Sequence, residues 1–575
     1  MSVNISKIRR EQLLQKIEEI RLHLLKNAPN PQLEDYLLEL ASEIKNRKFG
    51  LVFEKHREKI DDLMLTHLPV LTEDKKLTIE NGGQWNFLIE GDNLPALQLL
   101  TKTHKGKVSV ILIDPPYNRG ENDFLYDDNY IDKNDNFRHS KWLSFMEKRL
   151  LVSKELLEPS GVIFIHIDEN EFAPLKLLCD EIFGETNFIG AFIWKSRSGK
   201  GGTNAKIANE HEYIYCYAKD INNVSIKPVI KIGNARKEQL RQWGQEVLRE
   251  DRPYMFYPIL YNKKKKLIRT IPQEEFINIY DKSNNSFNDD YLLQLKKKYE
   301  EDGWVFILPI RKEGYGRWRV GRETIIELIQ NGMISIEIDK NQYKVYRLYP
   351  EGNVTKSAIG SLIEGKGTAS NGTKELKEIF EEKVFDTTKP IETEKFLIDL
   401  ILYNKPNSIV LDFFAGSGTS GIATMSLNKA DNGNRRFILV TNNENNICRN
   451  VTYERLKRVI EKENYQASLK YYRVDFINTE GKVYYEYANE LLKHIRELVQ
   501  LENGVDLNSN EEFAIVLTDG EMDKFVENLP KRSKPCRKLY VGHDVLPDPE
   551  RERELMRNGI EIVRIPDYYY SERRG

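Results

Sequence analysis

The chain has 575 residues, which is enough for roughly three or four domains of ordinary size. Hydrophobic residues make up 40% and charged residues 31%, a balance that excludes a disordered or fibrous chain and indicates packed globular domains. The net charge of −2 points to no partner, so any nucleic-acid surface must be a local patch.

The cysteines and the first residues indicate the cellular compartment. Cys179, Cys216, Cys448 and Cys536 lie far apart without a CxxC pair, so we expect neither a disulfide framework nor a metal site. The opening MSVNISKIRREQ has no apolar core for a signal peptide, and no run of about 18 apolar residues could span a membrane. We therefore expect a cytoplasmic protein without a membrane partner.

Residues 5 to 50 predict helices. The segments EQLLQKIEEIRLHLL and PQLEDYLLELASEIKNR both carry leucine or isoleucine at helical spacing. These helices either pack on their own chain or form an arm that joins a second copy or another partner, and the pattern leaves both open.

From about residue 85 to 220, strand-like and helical segments alternate. NFLIEGD, VSVILIDPP, GVIFIHID, AFIWKS and EYIYCYAK predict strands, with helical stretches such as WLSFMEKRLLVSKELL between several of them. This alternation predicts an α/β domain with a largely parallel sheet.

Residues 226 to 384 lose this rhythm and are rich in lysine, asparagine and tyrosine. Strand and helix order returns with NSIVLDFFAGSGTSGIATMSL and RRFILVTNN, followed by the helical VTYERLKRVIEKE. The tail after about residue 466 holds a second, smaller alternation: FAIVLTD, a helix, RKLYVGHD, a helix, then IEIVRIPD.

The segment IVLDFFAGSGTS joins an apolar strand to a glycine-rich turn that opens a helix. Asp412 ends the strand, and Phe414, Gly416 and Gly418 form an FxGxG pattern followed by Thr419. Glycines permit a tight turn and a close approach of a ligand to the backbone. The pattern is neither the dinucleotide GxGxxG nor a P-loop, and we expect it to bind a nucleoside-bearing ligand.

The segment VILIDPPYNRGENDF places Asp114, Pro115, Pro116 and Tyr117 directly after an apolar strand. A carboxylate at the carboxyl end of a parallel strand lies where α/β sheets bind ligands. Asp114 and the Pro115 carbonyl can each accept a hydrogen bond from an exocyclic amine, and an exposed Tyr117 ring can stack on a flat heterocycle. Alone, the four residues could equally form a loop that caps a strand.

Together the two motifs resemble the DPPY and FxGxG motifs of the amino-methyltransferases, which transfer a methyl group from S-adenosylmethionine to an exocyclic base nitrogen. Their order, with DPPY first, is similar to the permuted β-class, in which a target-recognition domain lies between the catalytic halves. The resemblance implies a Rossmann-like S-adenosylmethionine-dependent methyltransferase fold. The nearest likeness is to the modification subunits of type III restriction systems, over roughly residues 80 to 465.

The resemblance also implies further cofactor contacts. LIEGDNLPALQLL would bring Asp92 and Asn93 to the adenosyl moiety, and TTKPIETEKFLIDLIL would bring Lys389 and Pro390 to the cofactor. Relatives often carry a ribose-binding acid after the next strand, where this chain has Thr441, so Asn442 or Glu444 would take that role. The implied cofactor set is Asp92, Asn93, Lys389, Pro390, Asp412, Phe413, Phe414, Gly416, Gly418, Thr419, Asn442 and Glu444.

An aspartate at the first position of DPPY implies N6 of adenine as the acceptor, with N4 of cytosine as the alternative. The same residues also allow a specificity module that binds without catalysis, or an RNA or protein methyltransferase. A base inside a duplex would have to be flipped out to reach Asp114. The partners implied are duplex DNA, a second copy of the chain in a homodimer, and a restriction subunit with helicase and nuclease activity.

Two basic segments between the catalytic halves are candidate DNA contacts. Lys263 and Lys264 belong to a KKKK run whose alternative is a solvated face, and RKEGYGRWRVGR mixes arginine with an aromatic ring. The alternative for the second segment is ordinary packing. Its candidate residues are Arg317, Trp318, Arg319 and Arg322.

We expect five regions in this order. They are a helical region at 1–75, the first catalytic half at 76–225, the target-recognition insertion at 226–384, the second catalytic half at 385–465, and a small α/β region at 466–575.

Overall fold

The computed structural model describes residues 5–565 except 28–29, 47–50, 121–123, 127–128, 198–206, 340–341, 386, 483, 508–510, 533, 543–544 and 547. The chain forms two compact units. Met1–Lys227 and Gly360–Gly575 make up the main unit, and Pro228–Ile359 makes up the insertion.

The helices and strands of both units are numbered together in chain order. The helices are α1 Ile5–Asn27, α2 Pro31–Asn46, α3 Lys59–Thr66, α4 Asn93–His104, α5 Arg138–Leu156, α6 Phe172–Phe183, α7 Gln273–Phe276, α8 Asp289–Glu301, α9 Arg322–Gln330, α10 Ala369–Phe380, α11 Ile391–Leu402, α12 Thr419–Asp431, α13 Glu454–Glu463, α14 Tyr484–Asn503, α15 Asp519–Asn528 and α16 Pro549–Arg557. The strands are β1 His67–Glu73, β2 Gln84–Glu90, β3 Val108–Ile113, β4 Leu125–Tyr126, β5 Asn129–Tyr130, β6 Leu157–Ile167, β7 Phe188–Trp194, β8 Glu212–Ala218, β9 Val229–Gly233, β10 Arg236–Gln239, β11 Ile259–Asn262, β12 Leu267–Thr270, β13 Tyr280–Asp281, β14 Ser286–Phe287, β15 Val305–Ile307, β16 Ile334–Asp339, β17 Gln342–Tyr349, β18 Asn353–Ser357, β19 Leu362–Ile363, β20 Ile409–Asp412, β21 Arg436–Thr441, β22 Ala467–Asn478, β23 Phe513–Val516, β24 Lys538–Val541 and β25 Glu561–Arg564.

The main unit is built on a mixed sheet that, over the described residues, has ten strands in the order β1-β22-β2-β21-β20-β3-β6-β8-β7-β19. The run from β22 to β6 is parallel. Within it β3 is buried at every position and β20 likewise, as expected for strands covered on both faces. The α/β prediction is confirmed, although β8 pairs antiparallel with both β6 and β7.

Strands from the two catalytic halves interleave in this sheet. β3 of the first half lies between β20 and β6, and β2 lies between β21 and β22. The registers Val110↔Val410 and Ile111↔Leu411 align β3 with β20. Because these strands are parallel, the turns that follow them meet at the same edge of the sheet.

Three expected region boundaries differ from the structure. β1 lies in the region expected to be helical, and β22 lies in the expected C-terminal region, yet these two strands pair antiparallel in the central sheet. Residues 360–384, expected in the insertion, belong to the main unit, where β19 pairs with β7. A two-residue strand such as β19 is too short for periodicity to reveal.

The tail forms the predicted smaller alternation. β23, β24 and β25 make a parallel three-stranded sheet, with α15 and α16 in the connections. Its core includes Val516, Leu539 and the free, buried Cys536. None of the described helices is long and apolar enough to cross a membrane.

The insertion consists of small antiparallel sheets and short helices. Its three-stranded sheets have the orders β10-β17-β16 and β12-β11-β15, and β9 pairs with β18. Aromatic side chains supply much of its two apolar clusters, among them Tyr257, Trp318, Phe256 and Phe306. This explains why α/β periodicity is lost between residues 228 and 359.

Candidate active site

A cavity of about 680 Å³ opens at the edge of the sheet where β3 and β20 end. The turn after β3, the turn after β20, and the segment that leads into α11 line it together. Its lining includes nine residues predicted from sequence: Asp114, Pro115, Pro116, Tyr117, Lys389, Asp412, Phe414, Gly416 and Thr419. The volume is within the roughly 300–1,000 Å³ typical of small-molecule sites.

The DPPY turn is held from behind by α5. Trp142, fully buried on α5, donates its indole Nε1–H to the Pro116 carbonyl at 2.7 Å. Trp142 opens the stretch WLSFMEKRLLVSKELL, which the sequence predicts to be helical. The bond fixes the backbone that carries Asp114 and Tyr117.

Asp114 is paired with a cation from the second catalytic half. Lys389 Nζ lies 2.7 Å from Asp114 Oδ2 and 3.5 Å from Glu212 Oε2. Burial raises the pKa of Asp114, but the Lys389 ammonium, His166 and the Tyr117 hydroxyl together outweigh it, so the pKa lies below its ordinary value. Burial lowers the pKa of Lys389, and the two carboxylates raise it above its ordinary value. Asp114 is therefore a carboxylate at neutral pH.

Tyr117 is buried, whereas the sequence predicted an exposed ring. Its hydroxyl donates to Glu212 Oε2 at 3.0 Å, and only 7% of the residue is exposed. The Arg119 guanidinium and the Lys389 ammonium lie 4.9 and 5.1 Å from the ring centroid. Burial and the nearby carboxylates of Asp114 and Glu212 raise the pKa of Tyr117 well above its ordinary value, so the phenol keeps its proton. A stacking base would have to displace one of the cations.

The glycine-rich turn has the conformation that its sequence requires. Gly416 and Gly418 have φ of +47° and +78°, in the left-handed region that favours glycine. Asp412 closes the turn by accepting from the Phe414 N–H at 3.0 Å and the Ser420 hydroxyl at 2.6 Å. Burial raises the pKa of Asp412 to about 7, although these two hydrogen bonds act to lower it.

The back of the turn is held by the segment Ile447–Tyr453, a π-helical stretch, and by α13. The Thr452 hydroxyl donates to the Gly416 carbonyl at 2.5 Å. Arg455, fully buried on α13, donates to the Ser417 carbonyl at 3.2 Å and to the Thr419 hydroxyl at 2.9 Å. The turn is thus fixed by groups on the side away from the cavity.

Asp92 and Asn93 support the site, and the described residues that line the cavity do not include them. Asp92 caps α4 by accepting from the Leu94 N–H at 2.8 Å and pairs with Arg149 at 3.2 Å. Asn93 Nδ2 donates to the Phe413 carbonyl at 2.9 Å. Their contacts connect α4 to the glycine-rich turn, which differs from the direct adenosyl contact that the resemblance implies.

The remaining predicted cofactor residues fall outside the cavity lining. Pro390 is the cap residue of α11, Phe413 is fully buried in the core, and Gly418 is the residue before α12. Asn442 and Glu444 are exposed after β21, whereas Asn445 lines the cavity. Asn445 has φ of +52°, a conformation that asparagine tolerates better than most residues.

Sequence reasoning missed three buried ionisable residues of the cavity lining. Glu212 begins β8, His166 lies in β6, and Glu394 lies on α11. His166 Nε2 lies 3.1 Å from Glu394 Oε1. Glu212 opens the EYIYCYAK segment, whose pattern predicts only a strand. His166 and Glu394 likewise carry no local signal of a site residue.

Within the insertion, the candidate DNA-contact residues are mostly engaged in packing. Trp318 is 2% exposed and donates its Nε1–H to the Tyr257 carbonyl at 2.7 Å, so in this structure it packs in the core, which is the alternative that the sequence left open. Arg317 is buried too, Arg319 pairs with Glu238, and Arg322 donates to the Ile271 carbonyl at 2.6 Å.

Lys263 and Lys264 lie exposed in the turn between β11 and β12. A solvated face and a DNA contact both fit this placement. Across the described residues, no group of three or more histidine, cysteine, aspartate or glutamate side chains is arranged to hold a metal ion.

Comparison with known proteins places the chain among DNA methylases. A family model described as DNA methylase, of the N6/N4 type, matches residues 108–452, more than half of the chain. The type II methyltransferase M.KpnI of Klebsiella pneumoniae is 33% identical over 61% of this chain and 79% of its own length. The type III restriction-modification enzyme EcoPI Mod subunit of Escherichia phage P1 is 32% identical over 66% of this chain.

The match to the type III subunit spans 62% of that protein's length. A solved structure, the PvuII DNA methyltransferase (cytosine-N4-specific), covers 68% of this chain and 98% of its own at 12% identity with a TM-score of 0.32, which adds nothing to the family match. The family match and the M.KpnI alignment are sufficient by themselves: the chain belongs to the DNA methylase family.

Proposed function

We propose that the chain is a site-specific DNA methyltransferase that transfers a methyl group from S-adenosylmethionine to N6 of adenine in duplex DNA. The observation that carries this is the shared cavity: the DPPY turn and the glycine-rich turn open into one space of about 680 Å³. An acceptor for an amine and a turn suited to a nucleoside-bearing ligand therefore face each other.

The residues of the cavity fit S-adenosylmethionine. Gly416 lines the cavity with φ of +47°, a conformation that residues with a Cβ rarely adopt, and without a Cβ its backbone stays open to a ligand there. Glu394 Oε1 is buried and makes no aligned hydrogen bond among the described residues, with His166 Nε2 3.1 Å away. The carboxylates of Glu394 and Asp412 suit a ligand that bears ammonium and sulfonium charges. The turn from Phe414 to Thr419 would hold the nucleoside.

When bound, S-adenosylmethionine supplies an electrophilic methyl group whose C–S bond electrons return to sulfur as the N–C bond forms. The adenine amine is a poor nucleophile because its lone pair is delocalised into the ring. Asp114 and the Pro115 carbonyl accept the two N–H bonds of that amine and turn the lone pair out of the ring plane. This positioning is the main contribution of the chain's own residues, and the excess proton of the methylated nitrogen then passes to water.

The target adenine reaches Asp114 by flipping out of the duplex, at a cost of a few kcal/mol. Tyr117 would stack on it once the Arg119 guanidinium leaves the ring face. The exposed Lys263 and Lys264 of the insertion would contact backbone phosphates. The insertion would supply sequence recognition.

The biological setting is proposed from relatives. The EcoPI relative is named as a subunit of a type III restriction-modification enzyme, and a subunit implies a companion chain. We extend this to a restriction subunit that joins the present chain, to a homodimer of the chain, and to action in the cytoplasm, where the DNA substrate is found.

Purified protein is expected to transfer a labelled methyl group from S-adenosylmethionine to duplex DNA and to yield N6-methyladenine. The ionised Asp114 beside a nucleoside-sized cavity motivates this. Mass spectrometry of the digested nucleosides identifies the product, with single-stranded RNA and bulk protein as competing acceptors. Recovery of N4-methylcytosine alone would overturn the choice of base, and labelling of RNA or protein alone would overturn the choice of DNA.

Variants of the two turns should lose different steps. Asp114→Ala removes the amine acceptor, so transfer should fall by at least about 10²–10³-fold while cofactor binding persists. Gly418→Leu forces a side chain into a left-handed position whose Cβ lies 3.2 Å from Thr452 Cγ2, so cofactor binding should be lost first. Calorimetry with S-adenosylmethionine and a methyl-transfer assay measure the two steps.

Gly332→Leu is the matched control for Gly418→Leu. Gly332 has φ of +70° with open space around its Cβ position, and it lies in the insertion. The Gly332→Leu substitution places a side chain at a similar left-handed backbone position, but outside the main unit. The variant should therefore bind the cofactor normally. Near wild-type transfer by Asp114→Ala would contradict the role given to the DPPY turn.

Exchange of residues 228–359 for the corresponding unit of a relative should change the DNA sequence that is methylated and leave cofactor affinity almost unchanged. The reason is that the insertion is a separate compact unit, whereas residues 360–384 belong to the main unit. Sequencing of methylated bases reads out the site. An active chimera with the original methylation site would show that recognition lies elsewhere.

A further inference from the structure

Lys389 makes contacts that its assignment as a cofactor residue does not explain. It lies 7% exposed before α11, with its ammonium 2.7 Å from Asp114 and 3.5 Å from Glu212. The Tyr117 and Trp194 rings lie 5.1 and 5.8 Å from the same ammonium. The cation is therefore enclosed by two carboxylates and two aromatic rings on the side of the DPPY turn.

The two oxygens of Asp114 differ in their contacts. Oδ2 accepts from Lys389, whereas Oδ1 is buried and has no hydrogen-bond partner among the described residues. The Tyr117 hydroxyl donates to Glu212 at 3.0 Å and is also near enough to Asp114 to lower the pKa of that carboxyl. An unpartnered buried acceptor is costly unless a ligand satisfies it. Oδ1 is thus the oxygen available to an incoming N–H group.

A comparison of two neighbouring aspartates shows what the cation does. Asp412, at the end of the adjacent strand, has no lysine partner among the described residues, and burial raises its pKa to about 7. The Asp114 side chain is less buried, at 37% exposed, and although burial raises its pKa, Lys389 and His166 hold it below the ordinary value. The cavity also brings His166 on β6, Glu212 on β8 and Glu394 on α11 around Asp114. With Asp412 counted, three of these neighbours are acids, so the loss of Lys389 would raise the pKa of Asp114.

We propose that Lys389 is a positioning residue for methyl transfer, which keeps Asp114 ionised and occupies Oδ2 so that Oδ1 receives the amine of the target base. This inference rests on the proposed function. Glu212 also contacts the Lys389 ammonium. Because Glu212 accepts a hydrogen bond from the Tyr117 hydroxyl, it fixes the last residue of the DPPY turn beside Lys389. Lys389 thereby acts through Asp114 rather than on the cofactor.

The test compares pH profiles of single-turnover methyl transfer to duplex DNA at saturating S-adenosylmethionine, so that the titration of Asp412 does not enter through cofactor binding. Lys389→Met and Lys389→Gln remove the charge. The pKa of Asp114 should then rise, so the rate should fall about 10²-fold or more at the acid end of the profile, and the loss should shrink as the pH rises through the new, higher pKa. Calorimetric affinity for S-adenosylmethionine should stay within about threefold of wild type.

Lys389→Arg and Glu212→Gln are the matched controls, since both keep a cation beside Asp114. Whatever their rates, neither should move the acid limb of the profile to higher pH. They also keep the proposal testable if both neutral variants fail to fold, because an upward shift in either control overturns it.

Two results for the neutral variants would also overturn the proposal: a pH profile that superimposes on the wild-type profile, or a loss of cofactor affinity large enough to account for the loss of rate. The second result would return Lys389 to the cofactor role. If the wild-type chain transfers no methyl group to any acceptor, the proposed function fails, and this inference fails with it.

Discussion

The contact between Lys389 and Asp114 is the interaction on which the rest of the site depends. It joins residues 275 positions apart and brings a cation from the second catalytic half onto the carboxylate of the first. A carboxylate among the other acids of this cavity would otherwise take up a proton more readily and become a poorer acceptor for the N–H of the target amine. The chemistry attributed to the DPPY turn therefore needs both halves of the fold.

The sheet makes this contact possible. Because β3 lies beside β20, the turns that follow them are neighbours even though the insertion separates them in sequence. The insertion leaves and re-enters the main unit without interrupting this pairing, so its own core of aromatic side chains is built independently. A permuted order of motifs thus gives the same arrangement of acceptor and glycine-rich turn, because parallel strands present their carboxyl ends together.

Local signals explain why much of the site could be predicted from sequence. Gly416 and Gly418 have the left-handed backbone that an FxGxG turn before a helix indicates, and Asp114 follows a strand whose continuous apolar run marks it as buried. Long-range contacts explain what could not be predicted. The burial of Tyr117 depends on Glu212, and the role of Lys389 depends on Asp114; neither pair is close in sequence.

The same distinction accounts for the alternatives left open in the insertion and for the errors at the region boundaries. A cluster of arginine and tryptophan has the same sequence pattern whether it contacts DNA or packs in a core, and the hydrogen bond from Trp318 to Tyr257 could not be inferred from sequence. β1 and β22 are paired strands whose partners are about 400 residues apart, so composition assigned each to the wrong region.

A double-mutant cycle between Asp114→Asn and Lys389→Met tests the central contact most directly. The free energy of opening, taken from hydrogen exchange of the α11 amides, is measured for both single variants and the double variant. We expect a coupling of at least about 1 kcal/mol, because each single change leaves the other group without its charged partner in a largely buried site. Effects that add within about 0.5 kcal/mol would mean that the two side chains do not interact, and would contradict it.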